Sequence, residues 1–358
     1  MRVLVIGGTQ FNGFALVREL ARTGHDVTIL NRGKTDAPLP ASIRRLTADR
    51  TDHARMKEVL GAEEFDVVQD MCAYRLEDVE LMCDILRGRV GHYIFASSTV
   101  IYSPSDVLPI DEGFPVDRGE RQNEYGMNKL LCEDHLLREY RENGFPGSIV
   151  CFSMVFGPRN IIPDREQRMF MRFVKGRKIL IPGDGSTLGQ IGHVDDQARA
   201  LRMMMMKPST YGKRYNLTGD EFYTDHGYVD TFARVVGAEP EKVSIPAELM
   251  EDLWAGRVAV TGRRPKTNID IRTTKPQRDA HLFQLSLIVQ RIAPQLHHWN
   301  RSTLFSSERL KSDTGWAPEY SFEGAVQQTW DWLRAEGLDR TLEFDWSFED
   351  QLLERLGA

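Results

Sequence analysis

Cysteine is scarce in this sequence, with four residues in 358. Cys72, Cys83, Cys132 and Cys151 are scattered, without the short C-x-x-C spacing that is typical of zinc and redox sites. Isolated thiols of this kind are usually small buried side chains in a reducing compartment. The sequence therefore predicts no metal site.

Charge of one sign and long apolar runs are also lacking. The chain has 46 Lys and Arg against 52 Asp and Glu, a net charge of −6. This balance gives no general attraction to nucleic acid, so RNA binding would need a local basic patch. No apolar run approaches the roughly 18 residues of a membrane span, and no charged leader precedes the first apolar run. We therefore expect a cytoplasmic protein without a membrane segment.

A glycine-rich turn, Gly7-Gly8-Thr9-Gln10-Phe11-Asn12-Gly13, is the first positive signal. It follows an apolar run at residues 3–6 and leads into helical apolar spacing at residues 15–21, the context in which such turns bind phosphates. Gly7 permits a tight turn, Gly13 permits close packing, and the helix N-terminus offers N–H groups to a pyrophosphate. The alternative is a plain turn without a ligand. The predicted dinucleotide contacts are Gly7, Thr9, Gln10, Phe11, Asn12 and Gly13.

Apolar runs alternate with helical stretches through the first half, which predicts an α/β fold with a doubly wound parallel sheet. The predicted strands are residues 3–6, 27–30, 45–48, 67–69, 93–96 and 148–152, and the predicted helices are residues 11–23, 52–60, 76–86 and 125–143. From about residue 157 the elements shorten around Gly and Pro. We therefore expect a dinucleotide-binding domain at residues 1–156 and a smaller substrate domain at 157–358. Residues 190–216, with a helix predicted at 197–207, should return to the first domain and interleave the two.

Three polar side chains follow the pattern of a proton-transfer site. Ser98 follows the fifth predicted strand, at the sheet edge where open α/β sheets bind ligands. Tyr125 and Lys129 are four residues apart on the next predicted helix and share a face. A phenol of pKa about 10 needs a nearby positive charge to ionise at neutral pH. We predict that Tyr125 is the acid/base, that Lys129 lowers its pKa, and that Ser98 orients a secondary alcohol. The alternative is an exposed helix pair and a turn serine.

With these motifs, nearly the whole chain resembles the extended short-chain dehydrogenase/reductase superfamily, the NAD-dependent epimerase/dehydratases that act on nucleotide sugars. The resemblance implies a Rossmann-type fold, a nicotinamide dinucleotide, a sugar-like substrate, and a homodimer paired through helices such as 125–143. It also implies that Asp49 contacts the adenine and that Tyr125 and Lys129 contact the cofactor as well as the substrate. Thr99 and Gln190 are further predicted substrate contacts, together with Ser98 and Tyr125.

Departures from the family pattern bear on cofactor and substrate. Gln10 stands where the family has the middle glycine of its turn, so its side chain must swing away for a pyrophosphate. After the second strand the chain has Asn31-Arg32 instead of an acidic residue, and this favours NADP over NAD because Arg32 can meet a 2′-phosphate. Thr99-Val100 replaces the Asp-Glu pair of sugar 4,6-dehydratases, which argues against that elimination. The alternative for Arg32 is a solvated loop residue.

The family's usual handles for a nucleotide diphosphate are also replaced, by Cys151, Met154, Leu188 and Gly189. A basic stretch that begins at Arg263-Arg264 and runs to residue 278 offers a compensating site for a substrate phosphate or for RNA. The alternative is a solvated surface loop.

Three functions are consistent with these observations. The first is an NAD(P)-dependent epimerase or oxidoreductase acting on a secondary alcohol of a sugar-like substrate. The second is an RNA-binding or RNA-processing protein, because residues 188–196 and 215–220 are similar to a subgroup that includes the chloroplast stem-loop RNA-binding proteins. The third is a regulatory dinucleotide sensor. Ser98, Tyr125 and Lys129 together favour the first, since RNA binding does not require them.

Overall fold

The computed structural model describes residues 1–162, 164–260, 281–289 and 296–358. The β-strands are β1 (Arg2–Ile6), β2 (Asp26–Asn31), β3 (Arg44–Thr47), β4 (Phe65–Asp70), β5 (Val90–Ser98), β6 (Gly147–Phe152), β7 (Val155–Phe156), β8 (Ile179–Pro182), β9 (Leu188–Gln190), β10 (Gly192–His193), β11 (Arg214–Leu217), β12 (Phe222–Thr224) and β13 (Lys242–Ile245). The α-helices are α1 (Phe11–Arg22), α2 (His53–Leu60), α3 (Leu76–Leu86), α4 (Glu124–Asn143), α5 (Glu166–Val174), α6 (Val194–Met204), α7 (Asp225–Val236), α8 (Ala247–Trp254), α9 (Leu282–Leu285), α10 (Glu308–Thr314), α11 (Phe322–Ala335), α12 (Leu338–Thr341) and α13 (Ser347–Leu356).

Seven strands form one parallel sheet in the order β3-β2-β1-β4-β5-β6-β11. The central strands are buried along most of their length because helices cover both faces of a parallel sheet. The strand order reverses direction between β1 and β4, and a crevice for ligands forms at the carboxyl ends of strands at such a point. The predicted Rossmann-type, doubly wound parallel sheet is confirmed.

The fifth strand is longer than its apolar run. Prediction placed it at residues 93–96, whereas β5 continues through Ser97 and Ser98, which pair with Cys151 and Phe152 of β6. A run of apolar residues does not include the polar residues at the two ends of β5, so the prediction made this strand too short at both ends. The consequence is that Ser98 is held by the sheet itself.

The chain returns to this sheet after residue 190. Helix α6 packs against α1, and β11 lies beside β6 at the edge. The prediction for this helix, 197–207, was wrong by three residues at each end. The helix begins earlier because the His193 ring accepts the N–H of Asp195, and it ends earlier because Met205 has an extended ψ of 130°. The division at residue 156 stays a prediction.

The remaining strands form three small sheets, β7 with β10, β8 with β13 and β9 with β12. A second apolar cluster rich in aromatic rings lies under them, with Phe170 and Trp330 stacked 5.2 Å apart. Within the described ranges, no helix combines the length and the apolar character needed to cross a bilayer.

Two glycines fix the way α1 leaves β1. Gly7 has a φ of +91°, a region that residues with a side chain rarely adopt, and its N–H donates to the Leu30 carbonyl at 3.0 Å. Gly13, the third residue of α1, lies so close to this turn that a Cβ would be 2.0 Å from the Gly7 carbonyl oxygen. The first turn of the helix therefore rests directly on the backbone of the loop.

Gly13→Ala should lower the free energy of unfolding by about 1–3 kcal/mol or more, because the added methyl group collides with backbone that cannot rotate away. Gly227, also the third residue of a helix, is the matched control, since a Cβ there would meet two side-chain atoms, the Thr224 hydroxyl at 3.3 Å and the Tyr223 Cβ at 3.8 Å, and no backbone. Gly227→Ala should stay within about 1 kcal/mol of the wild type, with helix propensity in its favour. Urea unfolding measures both, and equal destabilisation of the two variants would contradict the close contact.

Candidate active site

The loop after β1 and the first turn of α1 form an anion cradle at the sheet edge. The N–H of Phe14 donates to the Gln10 carbonyl at 3.1 Å, so the N–H groups before it precede the helix's own hydrogen bonds. Gln10 has extended backbone and an exposed side chain, which makes no capping hydrogen bond to α1, all of whose residues are described. Phe11 has a φ of +37°, and such strain is typical of ligand-binding turns.

This geometry fits the pyrophosphate of a dinucleotide. The residue that departs from the family pattern, Gln10, points into solvent, and Gly13 holds the helix N-terminus against the turn. The predicted contacts Gly7, Thr9 and Asn12 belong to the same continuous turn and helix start.

The predicted adenosine contacts also lie at this edge. Asn31 ends β2, and its side-chain oxygen accepts the N–H of Gly33 at 2.8 Å. Asp49 follows β3, and its carboxylate accepts the N–H and hydroxyl of Thr51 at 3.0 and 2.8 Å. These two bonds lower the pKa of Asp49, and the charges of Arg32 and Lys34 lower it further.

Ser98, Tyr125 and Lys129 come together at the carboxyl end of β5. Ser98 is the last residue of that strand, and its hydroxyl lies beside the Tyr125 phenol, where it acts to lower the pKa of that phenol. Helix α4 begins at Glu124 because the Asn123 side chain accepts the N–H of Gly126 at 2.8 Å. One turn further on, the Lys129 ammonium lies 5.6 Å from the centre of the Tyr125 ring.

Lys129 is almost completely buried, with 2% of its side chain exposed. Its ammonium donates to the carbonyls of Ala73 and Ala96 at 2.7 and 2.6 Å. It also lies over the rings of Tyr74 and Phe95, at 5.0 and 4.8 Å from their centres. An ammonium has three protons, so one donor remains for a ligand. Burial lowers the pKa of Lys129.

Tyr125 departs from the expected electrostatics. Burial raises the pKa of its phenol to about 12, and the Ser98 hydroxyl only partly opposes this. The net shift is opposite to the predicted lowering by Lys129, whose ammonium is directed at two backbone carbonyls. The protein's own residues therefore keep Tyr125 in its neutral form.

Gln122 is a positioning residue that sequence reasoning missed. Its side-chain amide donates to the Val100 carbonyl at 3.0 Å and so ties the start of α4 to the segment after Ser98. A Cβ on Gly126 would lie 2.2 Å from the Gln122 side-chain oxygen, so this glycine makes room for the link. No motif marks the pair, because a glutamine before a helix carries no structural signal of its own.

Glu133 is a second missed residue, one turn after Lys129. Its buried carboxylate accepts the Ser97 hydroxyl and, at 2.7 Å, the Nε–H of Arg214 on β11. It therefore joins α4, β5 and the edge strand beneath the site. The only sequence signal for Glu133 was its position four residues after Lys129, which places both side chains on one face of the helix.

Two predicted substrate contacts have structural partners instead. The buried Thr99 hydroxyl donates to the Phe152 carbonyl at 3.3 Å. The Gln190 amide donates to the carbonyls of Gly219 and Phe305 at 2.6 and 3.2 Å and accepts the N–H of Phe305 at 2.8 Å. These bonds satisfy the amide by anchoring backbone, and we leave both residues out of the proposed site.

The remaining predicted contacts, Arg263 and Arg264, lie outside the described residues. So does the rest of the basic stretch, which ends at residue 278.

The strand order and the glycine turn define an extended short-chain dehydrogenase/reductase fold. The chain belongs to the NAD dependent epimerase/dehydratase family, which it matches over residues 3–218. This confirms the family inferred from the motifs, and it supports a nicotinamide dinucleotide as cofactor.

The chain is similar in sequence or in structure to proteins that carry different names. The chain is 28% identical to the chloroplast stem-loop binding protein of 41 kDa b of Arabidopsis thaliana, over 99% of this chain and 84% of that one. It is 23% identical to 2'-dehydrokanamycin reductase of Streptomyces kanamyceticus, over 69% of this chain and 70% of that one. The structure of a UDP-glucose 4-epimerase of Thermotoga maritima with UDP-glucose superposes with a TM-score of 0.70, over 94% of this chain and 99% of that one, at 18% identity.

The neutral state of Tyr125 has a spectroscopic test. Because the pKa of Tyr125 is raised to about 12, the protein alone should show no tyrosinate from this residue below about pH 10. The measurement is the ultraviolet absorbance difference between the wild type and Tyr125→Phe during an alkaline titration. A difference band that appears near pH 7 would show that Lys129 lowers the pKa after all.

Proposed function

We propose that the protein is an NAD(P)-dependent epimerase or oxidoreductase that acts on a secondary alcohol of a sugar-like substrate. The observation that supports this best is the meeting of Ser98, Tyr125 and Lys129 at the sheet edge next to the glycine turn. The family and the reductase and epimerase relatives support the same class of activity.

The residues of the sheet edge would hold the dinucleotide along its length. Asp49 would contact the adenine, Asn31 would contact its ribose, and Arg32 would contact the 2′-phosphate of NADP. The turn from Gly7 to Gly13 would hold the pyrophosphate, and the remaining donor of Lys129 would hold the nicotinamide ribose together with Tyr125. The bound nicotinamide supplies a hydride acceptor and donor, and its positive charge in the oxidised form favours an ionised phenol.

Proton transfer is then the work of Tyr125. The phenolate takes the proton of the substrate hydroxyl, which Ser98 orients by a hydrogen bond, and the phenol returns the proton when the carbonyl is reduced. Lys129, whose ammonium lies 5.6 Å from the centre of the Tyr125 ring, would add a second positive charge near the phenolate once the oxidised cofactor has brought the first. An epimerase lets the transient ketone present its other face and returns the same hydride to it, whereas a dehydrogenase releases the ketone and exchanges the reduced cofactor.

Tyr125→Phe should lower kcat by about 10²–10⁴-fold, because proton transfer is lost while the ring still packs. Dinucleotide affinity, measured by calorimetry, should change by less than about threefold, since one hydroxyl contact is lost. Tyr140→Phe, at a partly exposed position further along α4, is the matched control and should retain wild-type turnover.

The assay starts with mass spectrometry of the denatured protein for a retained dinucleotide. UDP-hexoses and unphosphorylated sugars, deuterated at the reacting carbon, are then followed by NMR. Deuterium kept in an inverted product indicates epimerisation, and deuterium transferred to a free dinucleotide indicates dehydrogenation. Wild-type turnover by Tyr125→Phe would overturn the assignment.

Arg32 is proposed to favour NADP. Arg32→Ala should weaken NADP⁺ binding by about tenfold or more, the loss of a charge-assisted hydrogen bond, and leave NAD⁺ binding within about twofold. Calorimetry with both dinucleotides measures this, with Arg87→Ala as a control for loss of an exposed arginine at the end of α3. An equal loss of affinity for NAD⁺ and NADP⁺ would contradict a contact with the 2′-phosphate. It would mean that Arg32 contacts the adenosine ribose or stabilises the loop.

Pairing of two copies through α4 is also part of the proposal. Leu131 lies on this helix and is 39% exposed, which leaves an apolar side chain for a partner to cover. Light scattering gives the mass of the assembly, and a monomer would contradict the pairing.

RNA binding is the second candidate, because the chloroplast relative that aligns with 99% of this chain is named for stem-loop binding. It would depend on a local patch such as the basic stretch from Arg263, since the chain is acidic overall. Fluorescence anisotropy with an RNA hairpin at increasing salt separates the two functions. A steep loss of affinity with salt supports phosphate contacts, and retention of that affinity in Tyr125→Phe separates it from catalysis.

A further inference from the structure

A buried ionic cluster lies behind the proposed site. Arg50, which follows Asp49, pairs through its two terminal nitrogens with both carboxylate oxygens of Asp70 at 2.8 and 2.9 Å. Its Nε lies 3.2 Å from the Asp78 carboxylate, and the Tyr93 hydroxyl donates to Asp70 at 2.7 Å. Arg50 is 8% exposed and the two aspartates are 1% exposed or less.

The two aspartates hold the turn that joins β4 to α3. Asp70 accepts the N–H of Cys72 at 3.2 Å, and Asp78 accepts the N–H groups of Tyr74 and Arg75 at 2.8 and 3.0 Å. Three N–H groups of this short turn are therefore fixed by carboxylates, which Arg50 in turn fixes relative to each other. Charge-assisted bonds of this kind are the stronger and more directional ones.

Ala73 lies between these anchored residues, and its carbonyl accepts the Lys129 ammonium at 2.7 Å. The turn that the cluster holds thus supplies one of the two backbone carbonyls that orient the Lys129 ammonium. The charges also match, because two buried carboxylates face two buried cations, Arg50 and Lys129. The charge of Asp70 acts to keep Lys129 protonated against the effect of burial.

Stability alone explains such a cluster poorly. Replacing a buried ion pair by apolar residues is often neutral or stabilising, because the loss of hydration offsets the attraction between the charges. The cluster fixes three N–H groups of one turn, those of Cys72, Tyr74 and Arg75. Apolar side chains cannot do this, because they accept no hydrogen bonds.

We propose that Arg50, Asp70 and Asp78 are positioning residues that hold the Ala73 carbonyl and thereby place the Lys129 ammonium for the nicotinamide ribose. This rests on the proposed function. Arg50 acts through Asp78 and Ala73, and it does not touch the ligand itself.

The test compares two ligands that differ in the part that Lys129 would contact. One is NAD⁺ or NADP⁺, whichever the wild type binds more tightly, and the other is ADP, which lacks the nicotinamide ribose. Asp78→Asn keeps an oxygen for the backbone N–H groups and removes the charge that Arg50 needs. It should weaken dinucleotide binding about tenfold, the loss of one hydrogen bond from a charged donor, and leave ADP binding within about twofold.

Asp196→Asn is the matched control. Asp196 is also buried, accepts two consecutive N–H groups, from Glu319 and Tyr320, and pairs with an arginine, Arg199 at 2.7 Å. Asp196 lies on α6, away from Lys129. Asp196→Asn should therefore change the affinities for the dinucleotide and for ADP by the same factor. If Asp78→Asn does not fold, Arg50→Lys, which retains a cation beside Asp70, gives the same comparison.

Lys129→Met separates failure of this inference from failure of the proposed function. A wild type that binds no dinucleotide, or a Lys129→Met variant with full dinucleotide affinity, would remove the proposed function itself. A Lys129→Met variant that loses dinucleotide but not ADP binding, beside an Asp78→Asn variant that loses both equally or neither, would overturn the positioning role alone.

Discussion

The proposed site depends on how the protein solvates one buried cation. An ammonium removed from water must receive its hydrogen bonds from the fold, and Lys129 receives them from the Ala73 and Ala96 carbonyls. Those two carbonyls belong to the turn after β4 and to β5. The requirement therefore ties α4, which carries Lys129 and Tyr125, to two neighbouring strands of the sheet. The aromatic rings of Tyr74 and Phe95 complete the environment of the charge.

The Tyr125 phenol is left neutral by the same arrangement. Because Lys129 is committed to backbone, the phenol has burial and Ser98 as its main influences, and burial prevails. In the proposed function, the neutral phenol would become a base only when the oxidised cofactor, with its positive charge, is bound. Proton transfer would then depend on occupancy of the cofactor site.

The sequence predicted the sheet and its edge because both follow from local patterns. Apolar runs indicate parallel strands that are buried on both faces. Glycines at fixed spacing between such a run and a helical pattern indicate a phosphate-binding turn. It could not predict Gln122 or the Arg50 cluster, since their partners are distant in sequence and only the folded chain brings them together. The structural partners of Gln190 were unpredictable for the same reason, because the backbone groups that form hydrogen bonds with its amide carry no sequence signal.

The edge strand β11 has a consequence for synthesis. It and helix α6 are made only after about 190 residues, yet they cover one side of β6 and one face of α1. A nascent chain that has emerged only as far as residue 156 would present an unpaired strand edge and an apolar helix surface to the cellular environment. The seven-stranded sheet is therefore complete only when residue 217 has been made, and a gene cut after residue 156 would release an unfinished sheet.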